Sequence, residues 1–345
     1  MDLELSDEQR WLSESVEALL ARHGSDSGAL WRNLVDFGAL SIGGEDGLGA
    51  IELCLIARAL GEHLAPVPYL GSAALRFAID APATEPLAGD GSVAVALLEP
   101  GSGWGLSVPQ TTIESLVLNG RKAGVEHVGE VAHLAVVASG PDGVALALVA
   151  PDAPGVTAAE QPTFDTTTPL YSVAFDDVAL ETTPIAGAEA LQRLVTIAAL
   201  LAAAEAVGAA GRLLQDACAY AAERRQFGRP IGSFQALRHL LADMYVRQAS
   251  SWSSVLYAAA TLDEDADEAQ RTASIAKAYV SRAAREVAHD AIQVFGGVAI
   301  TAEHPAHRYL RRIVLREQQY GDALHHERAL GRALAHAAVL EPVGR

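Results

Sequence analysis

Basic residues are scarce in this chain. Its 345 residues carry 25 Lys and Arg against 43 Asp and Glu, a formal charge of −18. That balance excludes nucleic acid as a partner held through its phosphates. It also makes a local cluster of arginines stand out, because such a cluster either forms surface ion pairs or meets a bound anion. Cysteine is nearly missing: Cys54 and Cys218 show no disulfide or metal spacing, which fits a reducing cytoplasm. Long apolar runs are missing as well. Half of the residues are hydrophobic, yet the longest alanine- and leucine-rich stretch, residues 191–207, contains Arg193 and Glu205 and reads as a buried helix, not a bilayer span. The start, "MDLELSDEQRWLSES", lacks the basic residues and apolar run of a secretory leader. Neither secretion nor a membrane is expected.

What is present changes character twice along the chain. Residues 1–90 read as helices. "SDEQRWLSESVEALLARHG" opens on Ser6 as an N-cap, "ALWRNLVDFGAL" follows, and "AIELCLIARALGEHLAPVPYL" is stopped by Pro66 and Pro68. A short fourth helix, "GSAALRFAI", leads into a Pro-, Gly- and acid-rich connection at residues 80–92. Residues 91–183 break into short Val-, Leu- and Ala-rich runs separated by turn residues, including "SVAVALLE", "TIESLVLNG", "HLAVVAS", "GVALALVAP" and "LYSVAFDDVAL". These predict a small β domain. Residues 184–345 are helical again, with long helices expected at 187–223, 234–262, 268–295 and 320–337 and a short arm, "HPAHRYLRRIVLREQ", before the last. The fold class is mainly α with a central β domain. Close packing of the alanine-rich helices points to oligomerisation.

Two motifs carry chemistry. In "RRQFGRPIGSFQ", residues 224–235, Arg224 and Arg225 follow a helix end where cations are favoured, Phe227 offers a flat apolar face, and Gly228 admits a close backbone. The set suits a ligand with a phosphate and a flat ring. "DAIQVFGGVAITAEHP" puts Gln293 at a helix end before Gly296 and Gly297, which act as a helix cap or as an approach to a ligand. Two other features carry little. "EPGSGWG" is followed by strand, not by the helix of a dinucleotide loop. His304 and His307 have no Cys or carboxylate set to complete a zinc site, so no metal is expected.

These two motifs, after a helical and then a β segment, resemble the acyl-CoA dehydrogenase family over nearly the whole chain. "LSDEQRWLSESVEALLAR" is similar to the family's first helix, "ARALGEHLAPVPYL" to its third, "LLEPGSG" to its flavin-side loop and "FDDVAL" to its last strand. The resemblance implies an N-terminal helical domain, a small β-barrel-like domain and a C-terminal four-helix bundle. It implies FAD as cofactor and an acyl-CoA as substrate. By position, Arg224 and Gln226 would meet the pyrophosphate, and Phe227, Ile231, Phe234 and Leu237 would line the adenosine side. Gln293, Val294, Gly296 and Gly297 would come from the other subunit of a pair.

The resemblance fails at the base. Removing an α-proton needs a carboxylate within reach. One family position for it is Tyr320, a phenol that is about a thousandth ionised at neutral pH, and the other is Ala198. Glu205, Glu317 and Asp322 are the displaced candidates. Gly124 and Glu126 replace the Trp and Thr that serve the flavin ring in the family, and the "SIGGEDGLG" loop is shortened. Losing the ring half and the base while keeping the nucleotide half resembles one subunit of the actinobacterial α2β2 heterotetramers of steroid side-chain breakdown. The implied partner is a second acyl-CoA dehydrogenase-like chain that brings the glutamate. A complete homomeric enzyme and a flavin-free scaffold are the alternatives.

Overall fold

A computed structural model describes residues 3–23, 26–42, 48–79, 91–104, 108–184, 187–264 and 266–340. Most of the 80–92 connection and the centre of the "SIGGEDGLG" loop lie outside the described residues. Helix α1 (Asp7–His23) starts where Ser6 and Gln9 cap each other. The Gln9 N–H donates to Ser6 Oγ at 3.2 Å and the Ser6 N–H donates to Gln9 Oε1 at 3.0 Å, satisfying two donors that the first turn would leave open. Helices α2 (Ser27–Asp36), α3 (Ala50–His63) and α4 (Tyr69–Ala78) follow.

The middle of the chain forms one seven-stranded mixed sheet. Its strands are β1 (Val93–Ala96), β2 (Thr112–Glu114), β3 (Val117–Glu126), β4 (His133–Gly140), β5 (Gly143–Val149), β6 (Val156–Gln161) and β7 (Leu170–Ala179). The order is β1-β4-β2-β3-β7-β6, with β5 also paired to β4. β1 and β2 run parallel to β4, and the other neighbours are antiparallel. Leu118, Val136, Val173 and Phe175 are buried in its core. "TIESLVLNG", expected as one strand, is two: Ser115 and Leu116 take left-handed φ of 51° and 61°, which turns β2 back into β3. β6 escapes the pattern reading because its side chains are mostly exposed and few are large and apolar.

The remainder is helical: α5 (Ala188–Glu223), a two-stranded hairpin of β8 (Arg225–Gln226) and β9 (Arg229–Pro230), α6 (Gln235–Glu264), α7 (Ala266–Phe295), α8 (Ala306–Gln318) and α9 (Ala323–Leu340). The arm expected from "HPAHRYLRRIVLREQ" is the helix α8. Its Tyr309, Arg312, Ile313 and Arg316 recur at helical spacing and all face inward. Helix α7 packs against α6, α8 and α9. Helix α5 is apolar on every side, and its most apolar window is 94% buried, as a core helix requires.

Contacts gather the described residues into two compact units. The sheet unit holds Trp11–Ile56 and Ala65–Ala198. Within it α4 lies on β1, and the Val93 N–H donates to Ser72 Oγ at 2.8 Å. The helical unit holds Ala57–Leu64 and the chain from Ala199 onward, with the residues up to Arg10. There α3 and α5 touch backbone to backbone at two glycines. A Cβ on Gly61 would stand 2.0 Å from Glu205 O, and one on Gly208 would stand 1.9 Å from Arg58 O. Only glycine permits that approach.

Candidate cofactor site

The end of α5 builds the first half of the site. The chain leaves the helix at Glu223 and reverses through the β8–β9 hairpin, where Phe227 and Gly228 have φ of 54° and 79°. Two successive left-handed residues make the tight turn that matches strand twist, and this is what Gly228 is for. Phe227 accepts the strained conformation and is 91% exposed. Phe234 stacks edge-on beneath it at 6.2 Å, and the Arg229 guanidinium lies 4.1 Å over the Phe234 ring. Ile231, Phe234 and Leu237 are half-buried behind the turn, while Arg224, Arg225, Gln226 and Arg229 are exposed.

Several arginines on the helices have acidic partners: Arg212 with Asp216, Arg247 with Glu286, Arg282 with Glu327, Arg285 with Glu317. Arg224 and Arg225 form no ion pair among the described residues, although the chain is strongly acidic. Surface ion pairing therefore does not account for this cluster.

The second motif ends α7. Gln293 is exposed, Val294 is buried, and Gly296 takes a left-handed φ of 68° as the helix tightens into a short 3-10 turn. A Cβ on Gly296 or Gly297 would meet nothing within 4 Å, so this backbone faces open space. Phe295 packs edge-on against Tyr220 at 5.5 Å, which brings the end of α7 to the last turn of α5. His304 stacks on Phe295 at 4.6 Å and accepts the Ala306 N–H through Nδ1. These are structural duties. Among the described residues no three His, Cys, Asp or Glu side chains gather to hold a metal ion.

The base positions hold no acid. Ala198 is fully buried in α5. Tyr320 is buried, with φ of 55°, in the turn between α8 and α9. Glu205 is buried between two guanidiniums, with Arg312 Nη1 2.5 Å from one oxygen and Arg316 Nε 2.9 Å from the other. Asp322 accepts the His325 N–H at 2.7 Å and so caps the start of α9. Glu317 bonds Arg285 through one oxygen at 3.0 Å, and its second oxygen has no hydrogen-bond partner among the described residues. Burial raises its pKa, against the opposing pull of Arg285 and Lys277.

Sequence reasoning missed the groups that hold the turn at Tyr320. Lys277 on α7 is buried and donates to Arg316 O, Glu317 O and Gly321 O at 2.8, 2.9 and 3.0 Å. It caps the carbonyls at the end of α8. Burial lowers its pKa to about 7, with Glu317 and Asp322 resisting. His326 lies 3.1 Å from both Tyr320 O and Ser274 Oγ. On the sheet unit, the Gly124 N–H donates to Gln161 Oε1 at 2.9 Å, and Glu126 pairs with Leu170 in the β3–β7 ladder.

Residues 186–335 match the model of the acyl-CoA dehydrogenase C-terminal domain. Acyl-CoA dehydrogenase IpdE2 of Mycolicibacterium smegmatis is 33% identical over 331 residues, covering 89% of this chain and 93% of its own. Acyl-CoA dehydrogenase FadE27 of Mycobacterium tuberculosis is 34% identical over 346 residues, covering 89% and 88%. This chain belongs to the acyl-CoA dehydrogenase family. Members of the family are FAD-dependent oxidoreductases. Among solved structures, a variant of the Tcur3481–Tcur3483 steroid ACAD superposes with a TM-score of 0.88 at 29% identity, covering 96% of this chain and 99% of that one. The ChsE4–ChsE5 complex from Mycobacterium tuberculosis superposes with a TM-score of 0.83 at 28% identity, covering 97% and 99%.

Proposed function

We propose that this chain is the nucleotide-holding subunit of an FAD-dependent acyl-CoA dehydrogenase, assembled with a second family member that carries the catalytic glutamate. FAD supplies hydride acceptance when bound. This chain's part is to bind and orient: Arg224 and Gln226 hold the pyrophosphate, Phe227, Ile231, Phe234 and Leu237 cover the adenosine, and Gln293, Val294, Gly296 and Gly297 contribute from the α7 end. The carrying observation is the pair of exposed arginines, without acidic partners among the described residues, beside a phenylalanine held outward in a strained turn. A charge-assisted bond to a phosphate contributes roughly 1.5–3 kcal/mol, enough to repay the cost of keeping those charges unpaired. The absence of an acid at Tyr320 and Ala198 supports the need for a partner's base. Of the two structural relatives, one is a steroid ACAD and the other a complex of two proteins, which favours a steroid-derived acyl chain and a hetero-oligomer.

The test is dye-coupled oxidation of an acyl-CoA by the chain alone and by the chain co-expressed with an acyl-CoA dehydrogenase-like protein that has Glu at the place of Tyr320. Turnover by the pair and none by the chain is expected. Full turnover by the chain alone would contradict the reading. One observation favours a second reading, a homomer with a displaced base: the spare oxygen and raised pKa of Glu317. Glu317→Gln abolishing turnover of the chain alone would establish it.

A further inference from the structure

The helical unit carries an open groove of about 440 Å³ where α6, α7 and α9 meet. Its apolar lining is Ile275, Ala278, Tyr279 and Ala283 of α7 with Leu330 of α9, and Ile275 and Tyr279 are exposed. Apolar side chains gathered in an open groove mark a docking site. Ion pairs bridge both sides: Arg247 Nε lies 2.8 Å from Glu286 Oε2 between α6 and α7, and Arg282 Nη2 lies 2.8 Å from Glu327 Oε2 between α7 and α9.

The two sides differ in charge. On the α6 side Asp290 Oδ2 is 3.6 Å from Arg247 Nη1, and Asp243 lies close enough to act on Asp290. Burial raises the Asp290 pKa; Arg247 opposes the rise, and Glu286 and Asp243 add to it. Three acids thus crowd one arginine, and this wall has negative charge to spare. Helix α9 carries the opposite features. Residues 331–335 are all exposed, and Leu334, one turn beyond Leu330, is 64% exposed. Arg328 and Arg332 are exposed beside these leucines and form no ion pair among the described residues. One helix therefore presents an apolar knob flanked by two arginines, beside a groove that is apolar inside and acidic on one wall. A knob and its matching hole on one molecule suit a two-fold pair, in which each copy gives and receives the same contact.

We propose that the groove receives the distal turns of α9 from a second copy of this chain, with Leu334 entering against Ile275 and Tyr279 and with Arg328 and Arg332 facing the acidic wall. The contact is reciprocal. It goes beyond the cofactor reading and does not depend on it. In the co-expressed assembly it joins two heterodimers into a 2:2 particle.

Sedimentation velocity of the full chain, over a concentration series, compares wild type with Leu334→Glu, Ile275→Glu and the double variant Arg328→Glu, Arg332→Glu. The four side chains are exposed, and circular dichroism checks each fold. Wild type is expected to dimerise. The dissociation constant should rise about a hundredfold or more in Leu334→Glu and Ile275→Glu, because each change counts twice across the two-fold axis. It should rise about tenfold or more in the arginine variant, most strongly at low salt. Mixing Leu334→Glu with Ile275→Glu should restore part of the association, since a mixed dimer keeps one intact knob in one intact groove. In the co-expressed pair, Leu334→Glu should give 1:1 particles that keep their partner. A wild-type chain that stays monomeric, or variants that dimerise as wild type does, would overturn the proposal. So would a mixture no tighter than either variant alone. Separation of the two different chains by Leu334→Glu would assign the groove to the partner subunit instead.

Discussion

His326 lies against Ser274, the Tyr320 carbonyl, His325, Lys277 and Asp322, and its side chain is buried. Burial first, then the Lys277 and His325 charges, bring its pKa from 6.5 down to about 4. An unfolded chain takes up that proton near pH 6.5 and the folded chain only near pH 4. Between those values the unfolded state binds more protons, so the contribution is intact above pH 6.5 and is lost as the pH falls to about 4, by roughly 3 kcal/mol. Urea unfolding of wild type and His326→Asn at pH 7 and pH 4 checks this. The difference between the two proteins should shift in the variant's favour at the lower pH by most of that amount. Glu205 gives a second residue-level expectation. Removing its charge leaves Arg312 and Arg316 buried together without their shared anion. Glu205→Gln should cost about 3–5 kcal/mol of stability by denaturant unfolding. A variant of normal stability that instead lost turnover would mean that the buried acid is the base.

At the scale of elements, the crossing of α3 and α5 is the most demanding contact in the helical unit. Gly208→Ala puts a methyl 1.9 Å from Arg58 O, a backbone atom that cannot swing aside. The expected cost is about 3 kcal/mol or more, read as a fall in Tm, with Gly331→Ala on α9 as the near-neutral control because its added Cβ meets nothing. How legible each element is follows from where its determinants lie. Helix α1 announces itself by its Ser6 cap and spacing, and α5 to α7 by long runs free of proline. The hairpin motif is legible because its turn, arginines and aromatics sit within a dozen residues. Helix α8 reads as a basic amphipathic arm; Arg312 and Arg316 are buried because Glu205, 107 residues earlier than Arg312, neutralises them, whereas Arg308 and Arg311 are exposed. Lys277 and its carbonyl partners are 39 to 44 residues apart, and Glu99 lies 23 residues from Lys122. Such pairs leave no local pattern, whereas the tyrosine at position 320, where the resemblance expects a base, is read by counting from the "QVFGG" motif.

For the whole molecule, the distribution of charge carries the functional account. A chain of net charge −18 leaves Arg224 and Arg225 exposed at one outward turn and without an ion pair among the described residues, while acids clamp arginines elsewhere on the helices. That arrangement suits a phosphate-bearing ligand brought to the surface, with a second chain closing over it. The most direct measurement is the flavin content of the purified, co-expressed pair after Arg224→Ala and Gln226→Ala are introduced together in this chain alone, with circular dichroism confirming the fold. A fall in bound FAD of about tenfold or more is the expected result, from the loss of the charged contact. A pair that keeps its full complement of FAD after losing both side chains would contradict the claim that this chain grips the cofactor's phosphates.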